Sequence, residues 1–347
     1  MLGDAVAHNP GLLGSEAQIT TLYDLSISVF SSQSLLVSIP ILHSLSKTLK
    51  SHQPALVKVL NQALGTLLKI CSERLLKYES LLKGSEHPVI MFLEEDFETL
   101  PEQHAFLGNY RRYCVSIIEH ITQTNPTEAL QHILGQTTES IQAVSQMHLV
   151  PYTKDAVPIL QLEAQHGVVK SALSGFSHWV NQKTARSPST SPDPGVERTR
   201  AEIYQSLGTW CQSLMSLPTL HPDAARVIIQ LLVEVVCRID NPQGSLVWHI
   251  VSYSLEMRLP EKPSDSAYAD AVRLFSLSRV ADVQLLARMF PDHLFVSPKS
   301  ATCKVGWTNA AQDHYHDLDG LVNRTLNDPR LEDRTQWALS AVLLIVM

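Results

Sequence analysis

Between Pro54 and Leu75 apolar residues return at steps of three and four: Leu56, Leu60, Ala63, Leu64, Leu67, Leu68, Cys71 and Leu75. That period predicts a helix of about six turns with one apolar side. Lys58, Asn61, Gln62, Lys69, Ser72 and Glu73 fall on the other side, so one face meets a neighbour and the other meets water. The same reading predicts a helix over 16–30 with an untidy apolar face, and one over 36–49 that Pro40 kinks or restarts. From Pro101 to about Thr124, Phe106, Leu107, Tyr110, Cys114, Ile117, Ile118 and Ile121 form a packed stripe. Asn125-Pro-Thr-Glu128 then reads as a cap, a proline in the first turn and an acid behind it, which starts the next helix. A long helix follows over 154–182, then others over 198–216, 221–239 and 246–257. One or two more lie in 264–289, capped at Ser264, and a last pair covers 312–326 and 332–347.

No segment alternates as a strand would. Helices of 12–25 residues recur in pairs every ~35–50 residues, a period that belongs to helical repeats rather than to a four-helix bundle. The fold class predicted is all-α, a HEAT-like helical-repeat solenoid or α-α superhelix. Such arrays offer an extended surface to macromolecules. Residues 183–197, KTARSPSTSPDPGVE, are almost free of apolar side chains and predict a flexible Ser/Pro-rich loop. It separates repeats in 1–182 from repeats in 198–347. Ser187 and Ser191 each precede a proline, which is compatible with phosphorylation, though a bland insertion is the simpler reading.

Charge narrows the choice of partner. The net charge of −7 supplies no global basic field, so wrapping nucleic acid is excluded and any RNA contact needs a local patch. Five cysteines, Cys71, Cys114, Cys211, Cys237 and Cys303, are far apart and never in a Cys-x-x-Cys pair, against both a disulfide framework and a zinc finger. The first residues lack the basic start and apolar run of a secretory signal. The longest apolar run, 337–347, is about half the ~20 residues that span a bilayer. It reads as a buried helix cut off at Met347, a C-terminal truncation of the last repeat.

Candidate chemistry is sparse. No phosphate-binding glycine loop, nucleophile elbow or His-Glu-x-x-His motif occurs. His314 and His316, in Asp313-His-Tyr-His-Asp317, point ~200° apart on a helix and cannot share an ion there, although an extended loop would allow it. Cys114 has His104 and His120 nearby in sequence, but a cysteine on an apolar helix face is ordinarily inert filler. The chain therefore reads as non-enzymatic, without cofactor or metal. Its most distinctive wording is 92–114, FLEEDFETLPEQHAFLGNYRRYC. Glu94, Glu95, Asp96 and Glu98 are either a solvated acidic turn or a docking point for a basic partner. Arg111 and Arg112 either reach a phosphate or pair with neighbouring acids and aromatics. These six are the candidate partner-binding residues.

That stretch, followed by VSIIEHITQTNPTEALQHIL, resembles the exportin-5 family of the importin-β (karyopherin) superfamily in its fungal form. VSIPILHSLSKTLKS, LLKICSERLLKYESL, LQLEAQHGVVKSALSGFSHWV and RLFSLSRVADVQLLARMFPDHLF agree in the same order, so the resemblance covers nearly the whole chain. It implies a central fragment of a long HEAT-repeat receptor that carries cargo from nucleus to cytoplasm. The partners it implies are Ran in its GTP form, nuclear pore proteins, and cargo consisting of proteins, phosphorylated ones included, or structured RNA such as precursor small RNA and tRNA. The alternative is a helical-repeat interaction scaffold outside transport.

Overall fold

The computed structural model describes residues 15–50, 58, 62–81, 86–145, 152–153, 155–185, 193–219, 221–239, 242, 244–260, 265–290, 320–326, 336 and 340. Every regular element among them is a helix. In chain order these are α1 Glu16–Phe30, α2 Leu35–Lys50, α3 Leu64–Arg74, a 3-10 turn at Tyr78–Ser80, α4 Pro88–Asp96, α5 Leu100–Thr124 and α6 Pro126–Ser145. Then come α7 Val157–Ala185, α8 Pro194–Met215, α9 Pro222–Val236, α10 Gly244–Glu256 and α11 Ser266–Met289. The fold is the all-α helical-repeat solenoid that the spacing predicts.

The chain divides into two compact units, residues 1–140 with 155–200, and 141–154 with 201–347. In the first, α5 is the central helix and packs on α2, α3 and α7. Its predicted stripe is buried from Leu107 to Ile121, while Phe106 is only partly covered. Hydroxyl pairs tie the layers together. Tyr110 Oη and Ser38 Oγ lie 2.7 Å apart between α5 and α2, and Tyr23 Oη and Thr48 Oγ1 2.9 Å apart between α1 and α2. Arg74, at the end of α3, is buried and donates to the carbonyls of Ser31 (3.3 Å) and Ser32 (2.7 Å), supplying cationic donors just past the end of α1.

In the second unit α9 packs on both α10 and α11, and none of its 15 residues is exposed. Such a helix lies inside a core rather than along its edge. Arg279 of α11 is buried, with its guanidinium on the Met257 carbonyl (3.1 Å) and over the Phe275 ring (5.2 Å).

Several elements differ from the sequence reading. α2 runs through Pro40 without ending. The amide that Pro40 lacks would bond to the carbonyl of Leu36, in the exposed first turn where water can serve it. The acidic run is not a turn before a helix, because Glu94, Glu95 and Asp96 close α4 itself. Helix α11 is one helix and its cap is Asp265, which accepts from the amide of Tyr268 at 3.0 Å. Helices α7 and α8 extend into both ends of the Ser/Pro-rich segment. Residues 186–192, with Ser187 and Ser191, lie outside the described residues, as do Cys303 and the cluster Asp313–Asp317. Of the last predicted pair, 320–326 is helical.

Candidate partner-binding corner

His87 starts α4: its Nδ1 accepts from the amide of Val89 at 3.3 Å, and Pro88 fills the first helical position. Val89 and Leu93 then bury one face. The opposite flank leaves Met91 57% and Phe92 40% exposed. Glu94, Glu95 and Asp96 occupy the last turn, which contains no basic residue. Carboxylates there meet the negative end of the helix dipole, at about 0.3–1 kcal/mol each. Among the described residues no ion pair relieves Glu94, Glu95, Asp96 or Glu98. Ser34, the N-cap of α2, touches the group: its hydroxyl donates to Asp96 at 3.4 Å.

The chain turns at Phe97 in an extended conformation, and Thr99 opens α5. Thr99 Oγ1 accepts from the amide of Glu102 (3.4 Å) and donates to its carboxylate (3.2 Å), a Thr-x-x-Glu variant of the capping box. Leu100, the first helical residue, is 63% exposed. Beneath the turn, rings step inward: Phe97 to Phe106 at 4.8 Å, then Phe106 to Tyr110 at 6.0 Å. Burial pushes the Tyr110 phenol well above its ordinary range, so it stays protonated and pairs with Ser38. The corner is thus packed by rings underneath and charged on top.

The two arginines sit elsewhere. Arg111 lies eleven positions beyond Leu100, about 17 Å of helix. Arg111 forms a two-pronged pair with Glu79, at 2.7 and 2.9 Å. Partial burial alone would raise the Glu79 carboxyl, but the hydrogen bonds and charge of Arg111 hold it below its usual value. Arg112 donates to Asn109 Oδ1 at 2.6 Å and stands 5.9 Å from the Tyr113 ring. The four acids therefore share one corner, and the arginines do not join it. Sequence reasoning missed the exposed Met91, Phe92 and Leu100, because only the placement of α4 and α5 shows them beside the acids.

The sequence matches the exportin-5 family over residues 12–276. The chain belongs to the exportin-5 family. This is a family of nuclear export receptors. An uncharacterized protein of Schizosaccharomyces pombe is 28% identical over 176 residues, 48% of this chain. The matched part is 13% of that relative's length. Among the described residues no cluster of three His, Cys, Asp or Glu could hold a metal, and no helix is long and apolar enough to cross a membrane.

Proposed function

We propose that this chain is a cargo- or Ran-facing segment of an export receptor, and that the α4–α5 corner is one of its protein-binding surfaces. Family membership supports a transport role. The observation that carries the site is the acid group at the C-terminal end of α4, with no ion pair among the described residues, beside exposed Met91, Phe92 and Leu100. A basic segment with apolar side chains would relieve the dipole conflict and cover the apolar group in one step. The partners are Ran in its GTP form, nuclear pore proteins and cargo, and the receptor shuttles between nucleus and cytoplasm. Protein cargo fits this surface better than structured RNA, because the net charge of −7 gives little counterion release.

The test is binding of the purified chain to Ran–GTP, Ran–GDP or neither, with and without a structured RNA. Tighter binding of the GTP form supports the reading. An affinity indifferent to the nucleotide contradicts it, and a tight RNA complex that weakens steeply with salt contradicts the preference for protein.

A further inference from the structure

We propose that a cleft in the first unit, where α3, α6 and α7 meet, binds an extended uncharged peptide segment of a partner protein. The cleft has a volume of about 460 Å³, within the range of ordinary ligand pockets. Its walls are rich in side-chain amides and hydroxyls: Gln33, Gln136, Ser140, Gln161, Gln165 and Ser72.

Spacing gives the first argument. Gln136 and Ser140 are one turn apart on α6, and Gln161 and Gln165 one turn apart on α7. One such step is about 6 Å along a helix. Two residues of extended chain cover about 6.5 Å, so alternate peptide groups keep pace with both rows. A primary amide carries a donor and an acceptor, the same pair that a peptide group presents. Gln165 is fixed in place for this, donating to Ser72 Oγ at 2.6 Å and accepting from Thr137 Oγ1 at 3.4 Å.

Charge gives the second. The lining cations Lys69 and Arg74 face as many carboxylates, Glu73 and Glu139. Burial, and then the Arg74 charge, lower the His87 pKa, so that ring is neutral at pH 7. A phosphate or a nucleic acid has no net field to enter. Bases also need an exposed ring to stack on. Tyr78 is buried against His87, with ring centroids 5.4 Å apart, and provides no such platform.

The third is hydrogen-bond demand. Among the described residues, two that line the cleft hold buried atoms with no hydrogen-bond partner, the Arg74 Nε donor and the Gln136 Oε1 acceptor. Both atoms are closed to water where they stand, and a turn of either side chain toward the cleft would let a peptide group meet it, with a carbonyl for the first and an N–H for the second.

The experiment presents the full chain with a library of N-acetylated, C-amidated linear octapeptides lacking Lys, Arg, Asp and Glu. Retained peptides are expected. Gln136→Leu and Gln161→Leu should each weaken them tenfold or more while the thermal midpoint is unchanged, and N-methylation of alternate backbone amides should abolish binding. Gln161 is exposed, so its variant remains informative even where Gln136→Leu perturbs packing. The proposal is overturned if no peptide is retained, if Gln161→Leu binds retained peptides as well as the parent, or if N-methylation has no effect. Preference for phosphopeptides or RNA at the same residues overturns it too. Peptide retention is measured without Ran, so this proposal and the nucleotide-dependent reading can fail separately.

Discussion

A Cβ placed on Gly175 of α7 would run into the backbone carbonyl of Glu119 on α5. These two helices form the most extensive contact of the first unit, and at this crossing backbone meets backbone. Alanine ordinarily improves a helix over glycine by about 0.5–1 kcal/mol. At Gly175 the collision is with a carbonyl that cannot swing aside, so Gly175→Ala is expected to cost about 1–3 kcal/mol. Gly108→Ala, at an exposed site with nothing near its Cβ, is the matched control and should stabilise. Urea denaturation of the pair reads both signs.

Asp282 predicts a pH dependence. Burial raises its carboxyl to about 6, against the lowering effect of its hydrogen bond from Ser278. An unfolded aspartate titrates near 3.9, so between about pH 4 and 6 the folded chain binds more protons than the unfolded one. Stability from this group is therefore lost as pH rises through that window. Asp282→Asn should stabilise by on the order of 1–2 kcal/mol at pH 7 and by almost nothing at pH 4. An equal gain at both pH values would contradict the assignment.

Reversing charge at the corner separates stability from binding. Glu94→Lys and Glu95→Lys place a cation at the C-terminal end of α4, and each should stabilise the chain by about 0.3–1 kcal/mol. The same changes should weaken a basic partner. Phe92→Ser should weaken it with little effect on the melting temperature, because Phe92 is 40% exposed. Paired melting curves and Ran–GTP titrations test the combination, and unaltered binding in all three variants would remove the corner from the interface.

Cys71 of α3 and Cys114 of α5 interact inside the core. Burial, then the neighbouring Cys114 thiol, push the Cys71 pKa well up, and burial raises Cys211 to about 12. Thiols covered from solvent are poor nucleophiles. Disulfide-exchange reagents at pH 7 should leave all three unmodified in the native chain and label them at once in denaturant. Prompt labelling of Cys71 or Cys114 without unfolding would show that the α3–α5 layer opens.

What the sequence revealed follows from where the structural information lies. The α5 stripe is legible because a three-four period kept from Phe106 to Ile121 has one interpretation. Helix α4 is not, since three acids at its C-terminal end argue locally against a helix that packing of Val89 and Leu93 nevertheless holds. Pro40 suggests a break wherever its missing hydrogen bond would matter, but here it falls at a turn open to water. The acid group could be named from residue order alone. Its separation from Arg111 could not, because that depends on Glu79 standing across from Arg111. The amide cleft draws its walls from segments up to 132 positions apart, Gln33 to Gln165, and leaves no local mark.

Helix α9 also constrains how this chain can be made. With no exposed residue, it is not fully covered until α10 and α11 exist. On a ribosome adding ~5–20 residues per second, the stretch from Val236 to Met289 takes about 3–10 s. Until the end of that interval the side of α9 that packs on α11 has no covering partner. That side is apolar surface of the kind that aggregates while it is uncovered, and a slowed codon run within α11 is expected to lower the yield of soluble protein more than one within α5.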